Sequence, residues 1–493
     1  MVFSSITFLF FFLPGFLLGF YLLRFAPRLQ LPFLLLSSLL FYIWGENILV
    51  WILLASTTID YFCGLIISWR GKNQREPQYV NPAKHNLRQK LGLTLSIVSN
   101  LAFLGYFKYA NFFVDNFIAF SRKAGLETLF PDHFAAIILP LGISFYTFQS
   151  MSYTIDVYRG RVQATRNYIN FAAYVTMFPQ LVAGPIVRYS HIEKQIGRLR
   201  ITSDDVVIGI KRFVTGLAKK VIIANTLAPV QEQIFAMPQH ELSTGMAWLG
   251  IITYSLQLYF DFSGYSDMAI GLGRMIGFRF PENFNYPYIA KSIREFWQRW
   301  HITLSTWFRD YLYISLGGSR KGGISTYRNL LIVFVTCGLW HGASWNYALW
   351  GLSHGFFMVL EKLPILQRLG KTPKVLQHLY MLFVFNITLA IFRVDGIPEA
   401  IRFVQILLGL VGEGTTWLPL RALLPNHVLL AFAFGVIFSM PVLKIIKRKT
   451  GFLSEGWLNL ARFAYFFVLM ALFIFSSVSL ASGTYNPFIY FRF

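Results

Sequence analysis

The sequence predicts an all-α protein that crosses a membrane several times. Only 13% of its 493 residues are charged, whereas 55% are hydrophobic and 18% are aromatic. An average soluble domain carries about 25% charged residues. The mean hydropathy is +0.52. A soluble enzyme, a disordered chain and a coiled coil are therefore excluded, and a polytopic membrane protein remains.

The net charge of +22 arises from 44 Lys and Arg against 22 Asp and Glu. In a soluble protein this excess would indicate nucleic acid. In a membrane protein it is typical of cytoplasmic loops, so we expect contact with lipids and no nucleic-acid partner. Cys63 and Cys337 both lie in apolar runs, which excludes a disulfide scaffold and a cysteine-rich metal site. No metal site is predicted.

Apolar runs that are plausible spans recur along the whole chain. The first lacks a basic leader and a small-residue cleavage site, so we expect a retained span and not a signal peptide. No internal repeat or long linker interrupts the chain, which predicts one integral membrane domain over residues 1–493. The runs lie at 3–23, 31–45, 47–69, 92–113, 136–158, 167–187, 245–263, 328–345, 346–360, 376–393, 426–443 and 460–480.

The basic loops predict how the chain is oriented. Segments 70–91, 188–220, 299–328, 361–374 and 444–449 are basic and are assigned to the cytoplasm, which places both chain ends outside. Residues 167–187 have basic residues on both sides, although a crossing should change sides. We therefore expect a re-entrant segment, which is tolerated only when it is buried in protein or lines a wet cavity.

Residues 292–310 combine aromatic rings, arginines and one imidazole. Ser292 and Glu295 have the spacing of a capping box, which predicts that a helix starts there. On one continuous helix, Trp297, His301, Leu304 and Phe308 would share a face. The structural alternative is an interfacial helix with snorkelling arginines. The functional alternative is a cationic vestibule for a phosphorylated donor, because Arg binds phosphate through two hydrogen bonds.

A second histidine, His341, lies in the apolar run 337–345. Ionisable residues within membranes usually face a cavity or a partner, and Gly338 and Gly342 would let another helix approach. A neutral imidazole there could take a proton from a hydroxyl nucleophile as a general base. Cys337 lies one turn earlier and could accept an acyl group, although a buried Cys is usually a small hydrophobic residue.

Two carboxylates, Asp261 and Asp267, lie in the motif YFDFSGYSD at residues 259–267. Carboxylates within a membrane can relay protons. We favour the simpler interpretation that they pair with Arg274 or Arg309 and hold the packing. The glycines at 271 and 273 match no phosphate-binding loop.

Several motifs in order resemble the membrane-bound O-acyltransferase superfamily, in the branch of bacterial polysaccharide O-acetyltransferases typified by alginate O-acetyltransferase. The resemblance covers nearly the whole chain and is best over residues 140–360. The motifs are PLGISFYTFQ at 140–149, FPQLVAGPI at 178–186, YFDFSGYSD at 259–267, FPENFN at 280–285, FWQRWH at 296–301, WFRDYLY at 307–313, GLWHG at 338–342 and FIYFRF at 488–493.

The resemblance implies a ring of tilted and re-entrant helices around a central funnel. His341 matches the invariant histidine of the superfamily, and His301 matches the second histidine of this branch. The implied donor is cytoplasmic acetyl-CoA, with no permanently bound cofactor. The implied acceptor is an extracytoplasmic polysaccharide, reached through a periplasmic SGNH-type acetyltransferase at the bacterial inner membrane. Acetyl-CoA is charged and cannot cross a bilayer, but the acetyl group alone can be passed through a thin centre.

Two further sets of residues complete the expected site. We expect the donor to bind a cationic and aromatic set in a cytoplasmic region, which is Arg299, Trp307, Arg309, Arg320 and Lys321. The terminal hexapeptide could fold back and offer the phenol of Tyr490 to His341 as an acetyl carrier. The alternative is that its aromatic rings anchor the chain end at the interface.

Other functions stay open on sequence grounds. A secondary transporter for a polysaccharide precursor or acyl carrier would also use broken helices and intramembrane Asp and His residues. A non-enzymatic scaffold for polysaccharide assembly is a third possibility. The sequence does not name the polysaccharide, so alginate, cellulose, peptidoglycan and other exopolysaccharides are all compatible with it.

Overall fold

The computed structural model describes residues 2–69, 80–81, 85–125, 136–320, 322–411, 414, 420–449, 455–483 and 486. All regular structure in these residues is helical, which confirms the predicted all-α class. Segments long and apolar enough to cross a membrane are Phe8–Phe25, Pro27–Ser68, Leu87–Lys123, Lys374–Arg393 and Asn459–Ala481. The ring around a funnel and the single domain over residues 1–493 stay predictions.

The helices fall into two compact units. The first contains Thr7–Gly209 and Leu272–Pro281. Its helices are α1 (Leu13–Leu22), α2 (Gln30–Glu46), α3 (Val50–Ser68), α4 (Leu87–Leu104), α5 (Ala110–Lys123), α6 (Ile143–Tyr158), α7 (Tyr168–Thr176), α8 (Phe178–Leu181), α9 (Tyr189–Ile196) and the first turns of α10 (Ser203–Ala218). Short 3₁₀ and π-helical segments extend several of them, at Phe8–Phe12, Leu23–Phe25, Pro27–Leu29, Asn47–Leu49 and Gly105–Tyr109.

The predicted re-entrant run at 167–187 is broken in the structure. Met177 has ψ near 112°, which ends α7, and α8 follows with Pro179 in its first turn. Residues 171–187 are all buried, as a broken segment in an apolar environment requires. The break is therefore confirmed, whereas the return of this segment to the same side of a membrane stays a prediction.

The second unit contains Phe3–Ile6, Ile210–Gly271 and Glu282–Phe493. Its remaining helices are α11 (Asn225–Phe235), α12 (Thr244–Met275), α13 (Ile293–Arg299), α14 (Ile302–Trp307), α15 (Gly323–His341), α16 (Trp345–Leu360), α17 (Pro364–Gln367), α18 (Lys374–Arg393), α19 (Ile397–Leu407), α20 (Leu420–Leu423), α21 (Asn426–Phe438), α22 (Val442–Lys449) and α23 (Glu455–Ala481). Its π-helical turns are Lys219–Ala224 and Phe308–Tyr313, and its 3₁₀ turns are Pro287–Ile289 and Arg368–Lys371.

Helices α15 and α16 form a tight antiparallel hairpin that carries His341 at its turn. A side-chain carbon at Gly338 would overlap the carbonyl oxygen of Tyr347, and one at Gly351 would overlap that of Phe334. The close approach predicted around His341 is confirmed at Gly338. Gly342 is extended and lies just after the helix, where a side-chain carbon would overlap the ring of Tyr347, so the close approach is present there as well. The small residue that faces Gly338 across the hairpin is Gly351.

Candidate functional site

The predicted start of the helix at Ser292 is correct. The Ser292 hydroxyl accepts the Glu295 N–H at 3.0 Å, whereas the Glu295 carboxylate accepts the N–H of Lys291 and not that of Ser292. The carboxylate of Glu361 adds a second cap, because it accepts the N–H of Ile293 at 2.6 Å. Helix α13 therefore begins at a fixed point on the end of α16.

The predicted continuous face from Trp297 to Phe308 is wrong. Helix α13 ends at Arg299, and His301 takes a left-handed backbone conformation with φ of 42°. The cause lies at Asn283, whose backbone carbonyl accepts the Ile302 N–H at 2.9 Å and whose side-chain oxygen accepts the Thr303 N–H at 3.3 Å. These bonds stop α13 and start α14, and they turn His301 into the protein.

The imidazole of His301 is fully buried. Its Nδ1 lies 3.1 Å from the side-chain oxygen of Asn283. Its ring meets Phe262 edge-on, with ring centroids 4.8 Å apart, and Trp340 with centroids 6.0 Å apart. His301 lies outside the membrane-spanning segments, and burial lowers its pKa to about 3. The ring is therefore neutral at physiological pH.

His341 ends α15 and is 6% exposed. Three aromatic rings surround it edge-on, with ring centroids 5.0 Å away for Trp340, 5.1 Å for Trp350 and 5.7 Å for Phe392. Because the Trp340 ring contacts both imidazoles, the structure brings the two predicted histidines to one aromatic cluster. An imidazole in such a cluster can accept a proton when it is neutral.

A third buried histidine, His354 on α16, was missed by the sequence analysis. Its Nδ1 accepts the indole N–H of Trp297 at 3.2 Å, and its Nε2 lies 3.1 Å from the hydroxyl of Thr388. The Nε2 proton is therefore donated to Thr388, and both nitrogens are engaged in structural bonds. Its position in the apolar run 346–360 was the signal that sequence analysis had available.

The predicted donor residues have partners of their own. Arg299 pairs with Glu295 at 2.8 Å, and Arg309 pairs with Asp310 at 2.7 Å. Trp307 is buried against Tyr311, with ring centroids 5.1 Å apart, whereas Arg320 is exposed. Lys321 lies outside the described residues. The assignment of these residues to a donor site stays a prediction.

The two carboxylates of α12 are paired, but not with the predicted cations. Asp261 pairs with Lys220 at 2.8 Å, and both side chains are almost fully buried. Asp267 lies 2.7 Å from both Arg212 and Lys219. The predicted cations have other partners, because Arg274 pairs with Asp205 and Arg309 with Asp310.

The cause of this pairing is the contact between α10 and α12. A side-chain carbon at Gly216 would clash with the backbone of Gly264, and one at Gly264 would clash with that of Gly216. The helices therefore approach closely, and the following π-helical turn, Lys219–Ala224, delivers the two lysines to the two carboxylates. Among the described residues, no cluster of His, Cys, Asp and Glu could hold a metal ion.

The two ends of the chain meet at Asn486. Its side-chain nitrogen donates to the carbonyl of Ser4 at 2.6 Å, and its oxygen accepts the side-chain amide of Asn225 at 3.1 Å. Ser4 and Asn486 are therefore neighbours, whereas the predicted placement of both chain ends outside the membrane stays a prediction. Tyr490, four residues further on, lies outside the described residues.

Comparison with known proteins identifies the family. The model of the membrane-bound O-acyltransferase family, MBOAT, matches residues 40–392. A probable alginate O-acetylase AlgI of Azotobacter vinelandii is 41% identical, over 100% of both chains. The corresponding protein of Pseudomonas aeruginosa is 46% identical over 82% of this chain and 74% of its own. A peptidoglycan O-acetyltransferase of Helicobacter pylori is 35% identical over 84% of this chain and 80% of its own.

These matches confirm the resemblance found in the motifs, and they favour an enzyme over the transporter and scaffold alternatives. The matched region contains all three buried histidines and the α15–α16 hairpin. The chain belongs to the membrane-bound O-acyltransferase family and is a multi-pass membrane enzyme that transfers acyl groups to oxygen.

Proposed function

We propose that this enzyme takes acetyl groups from cytoplasmic acetyl-CoA and passes them across the bacterial inner membrane, for O-acetylation of an extracytoplasmic polysaccharide. The observation that carries this proposal is the pair of buried imidazoles, His301 and His341, which both contact the Trp340 ring. The relatives named for alginate and peptidoglycan acetylation support a polysaccharide as the final acceptor.

In this proposal His341 is the general base. Its imidazole takes the proton of a hydroxyl nucleophile as the oxygen attacks the thioester carbonyl. The new carbon–oxygen bond forms, the carbon–sulfur bond breaks, and the imidazolium returns the proton to the departing thiolate. The products are an acetyl ester and CoA, so the step balances without any cofactor.

The nucleophile that we propose is the phenol of Tyr490. A tyrosine has a pKa near 10, so an imidazole can help to deprotonate it during attack. The resulting aryl acetate stays reactive, because phenolate is a good leaving group. A serine of a periplasmic SGNH-type partner then attacks it, the phenol is restored, and the partner transfers the acetyl group to the polysaccharide.

The anchor at Asn486 supports a tail that works close to the protein. Ser4 and Asn225 hold this residue, which fixes the point where the terminal segment begins. Extended chain advances about 3.3–3.6 Å per residue, so the four residues to Tyr490 reach about 14 Å from the anchor. The terminal segment is also aromatic and would not extend freely into water.

We propose that the donor enters beside Arg299, Trp307, Arg309, Arg320 and Lys321. Guanidinium groups bind phosphate through paired hydrogen bonds. Arg299 and Arg309 already bond carboxylates, so donor phosphates would share or replace those bonds. This competition keeps the arginines ordered before the donor arrives.

The test is release of CoA from acetyl-CoA by the purified protein in detergent. Wild type and Cys337→Ala should release CoA, because Cys337 is buried packing on the same helix. His341→Ala should be slower by about 10²-fold or more, the usual scale for loss of a general base. Equal rates of CoA release by wild type and His341→Ala would contradict the proposal. If only Cys337→Ala loses CoA release, the acyl acceptor is the Cys337 thiol and not a hydroxyl.

A further inference from the structure

Asn283 is a buried residue whose side-chain orientation is fixed by its surroundings. It is 1% exposed, and one of its carboxamide atoms lies 3.3 Å from the backbone nitrogen of Thr303. A backbone N–H can only donate, so the facing atom must be the carbonyl oxygen. The hydroxyl of Thr303 donates to the same oxygen at 2.9 Å, and the amide nitrogen donates to Ser266 at 3.1 Å.

This orientation fixes the proton of His301. Nδ1 of His301 lies 3.1 Å from the oxygen of Asn283, which can only accept. Nδ1 must therefore carry the hydrogen, and Nε2 of the neutral ring carries the lone pair. His354 has the opposite arrangement, because its Nδ1 accepts from the Trp297 indole. Two buried histidines of the same unit are thus held as different tautomers.

We infer that Asn283 is a positioning residue that holds His301 as the Nδ1–H tautomer, so that Nε2 accepts a hydrogen bond or a proton from the reacting groups. The inference rests on the proposed function, and it assigns His301 to the proton-accepting side of the reaction. While Asn283 holds the ring, Nε2 has no hydrogen to donate to a thioester carbonyl. His301 is therefore not the oxyanion donor.

The chemistry that follows is a hydrogen bond with a stabilised charge. His341 takes the hydroxyl proton and returns it to the thiolate sulfur, and Nε2 of His301 accepts a hydrogen bond from the thiol that forms. This bond draws positive charge onto the His301 ring, so its Nδ1–H bond to the Asn283 oxygen becomes stronger. The neutral tautomer remains when CoA leaves. Asn283 gives up no atom or proton in this cycle.

The backbone reinforces the same assignment. His301 has φ of 42°, which residues other than glycine rarely adopt. The Asn283 backbone carbonyl holds this turn through the Ile302 N–H, and its side chain holds Nδ1. One residue thus sets both the direction of the ring and its protonation.

The charged groups on the neighbouring elements are already neutralised by partners. The nearby titratable imidazoles are those of His341, which contacts the Trp340 ring, and His354, whose two nitrogens are bonded to Trp297 and Thr388. The neutralised pairs are Asp261 with Lys220, Asp267 with Arg212 and Lys219, Glu282 with Arg212, and Arg299 with Glu295.

The pH dependence of CoA release shows whether Asn283 positions His301 or only supports the packing around it. In Asn283→Asp the carboxylate still accepts from Nδ1, and Ser266 can turn its hydroxyl to donate. The new charge should raise the pKa of His301 by about 1–3. A protonated ring cannot accept a proton, so activity should fall at low pH and recover as the pH rises. Asn283→Ala should lose activity at every pH. The expected loss is about 10–100-fold, which is the range found when residues that orient metal-bound histidines are replaced.

The matched control is Thr306→Val on α14, whose hydroxyl donates to the backbone carbonyl of Thr303 at 3.1 Å. It should keep the wild-type pH profile. If Asn283→Asp and Asn283→Ala lose activity by the same factor at every pH, the residue only supports packing and the inference is overturned.

A second readout does not need activity. NMR of ¹⁵N-labelled histidine shows which ring nitrogen carries the hydrogen. The pair of signals that is lost in His301→Gln is assigned to His301. We expect the Nδ1–H form in wild type and its loss in Asn283→Ala. An Nε2–H signal in wild type overturns the inference. If wild type releases no CoA, the proposed function fails, and the ¹⁵N signals still decide the role of Asn283.

Discussion

The imidazole of His301 meets the indole of Trp340 with ring centroids 6.0 Å apart. Trp340 is also the immediate neighbour of His341, so a single buried indole contacts two histidines that lie 40 positions apart in the chain. Two imidazoles in contact with one apolar ring can both accept protons within the same buried cluster. The predictions below follow from this arrangement and from the contacts that hold it.

The first prediction concerns Tyr490. Changing it to Phe keeps the ring and removes only the hydroxyl, so the terminal segment should still pack. We expect polysaccharide acetylation to be lost while the protein still inserts, because the acetyl carrier is gone. Glycan acetylation is measured in cells that carry each variant, with Phe491→Tyr/Tyr490→Phe as the position control. Wild-type acetylation by Tyr490→Phe would mean that the tail is only an anchor.

The second prediction concerns the anchor of the tail. Asn486→Ala removes the hydrogen bonds to Ser4 and Asn225, so the terminal segment should no longer begin at a fixed point. Acetyl transfer to the partner should fall several-fold, and the melting temperature should change little because the variant loses only the hydrogen bonds of Asn486. Ser482→Ala, whose hydroxyl bonds its own helix at Ser479, is the matched control. Unchanged acetyl transfer in Asn486→Ala would show that the hydrogen bonds of Asn486 are not required for function.

The third prediction concerns donor binding. Arg299→Glu or Arg309→Glu should raise the Michaelis constant for acetyl-CoA and weaken its dependence on salt, because a cation that faces the phosphates is replaced by an anion. Arg402→Glu on α19 is a charge-matched control away from the predicted donor set. The turnover number at saturating donor should change less than the Michaelis constant. Normal affinity for CoA in both variants would show that Arg299 and Arg309 do not bind the donor.

The fourth prediction concerns the buried pair Lys220 and Asp261. Lys220→Met leaves the carboxylate buried without its cation and should destabilise the protein by about 3–5 kcal/mol. The double variant Lys220→Met/Asp261→Leu removes both charges and should recover most of the lost stability. The free energy of unfolding of each variant is measured by denaturant titration of the protein in detergent. If the double variant is no more stable than Lys220→Met, the loss of stability does not come from the unpaired carboxylate of Asp261. The two side chains would then contribute through packing alone.

Sequence analysis predicted well those features that depend on neighbouring residues. Ser292 starts its helix as predicted, because a cap and its N–H partner lie three residues apart. His341 stands out for a similar reason, since it is an ionisable residue in an apolar run.

Features that depend on distant contacts could not be predicted in the same way. The helix ends before His301 because of hydrogen bonds to Asn283, and no local pattern announces that break. The partner of Asp261 is likewise set by the approach of Gly216 to Gly264, which belong to different helices. The sequence therefore identified candidate site residues such as His341, but not the distant contacts that hold them.

The most direct test of the account is vectorial transfer in vesicles. Purified protein of one orientation is placed in lipid vesicles with [¹⁴C-acetyl]-CoA on the cytoplasmic face and a soluble SGNH-type acetyltransferase on the other. We predict that wild type and Cys337→Ala move label to the partner while CoA stays on the cytoplasmic face, and that His341→Ala moves none. Label arriving at the same rate with His341→Ala, or intact acetyl-CoA appearing on the far side, would contradict the account.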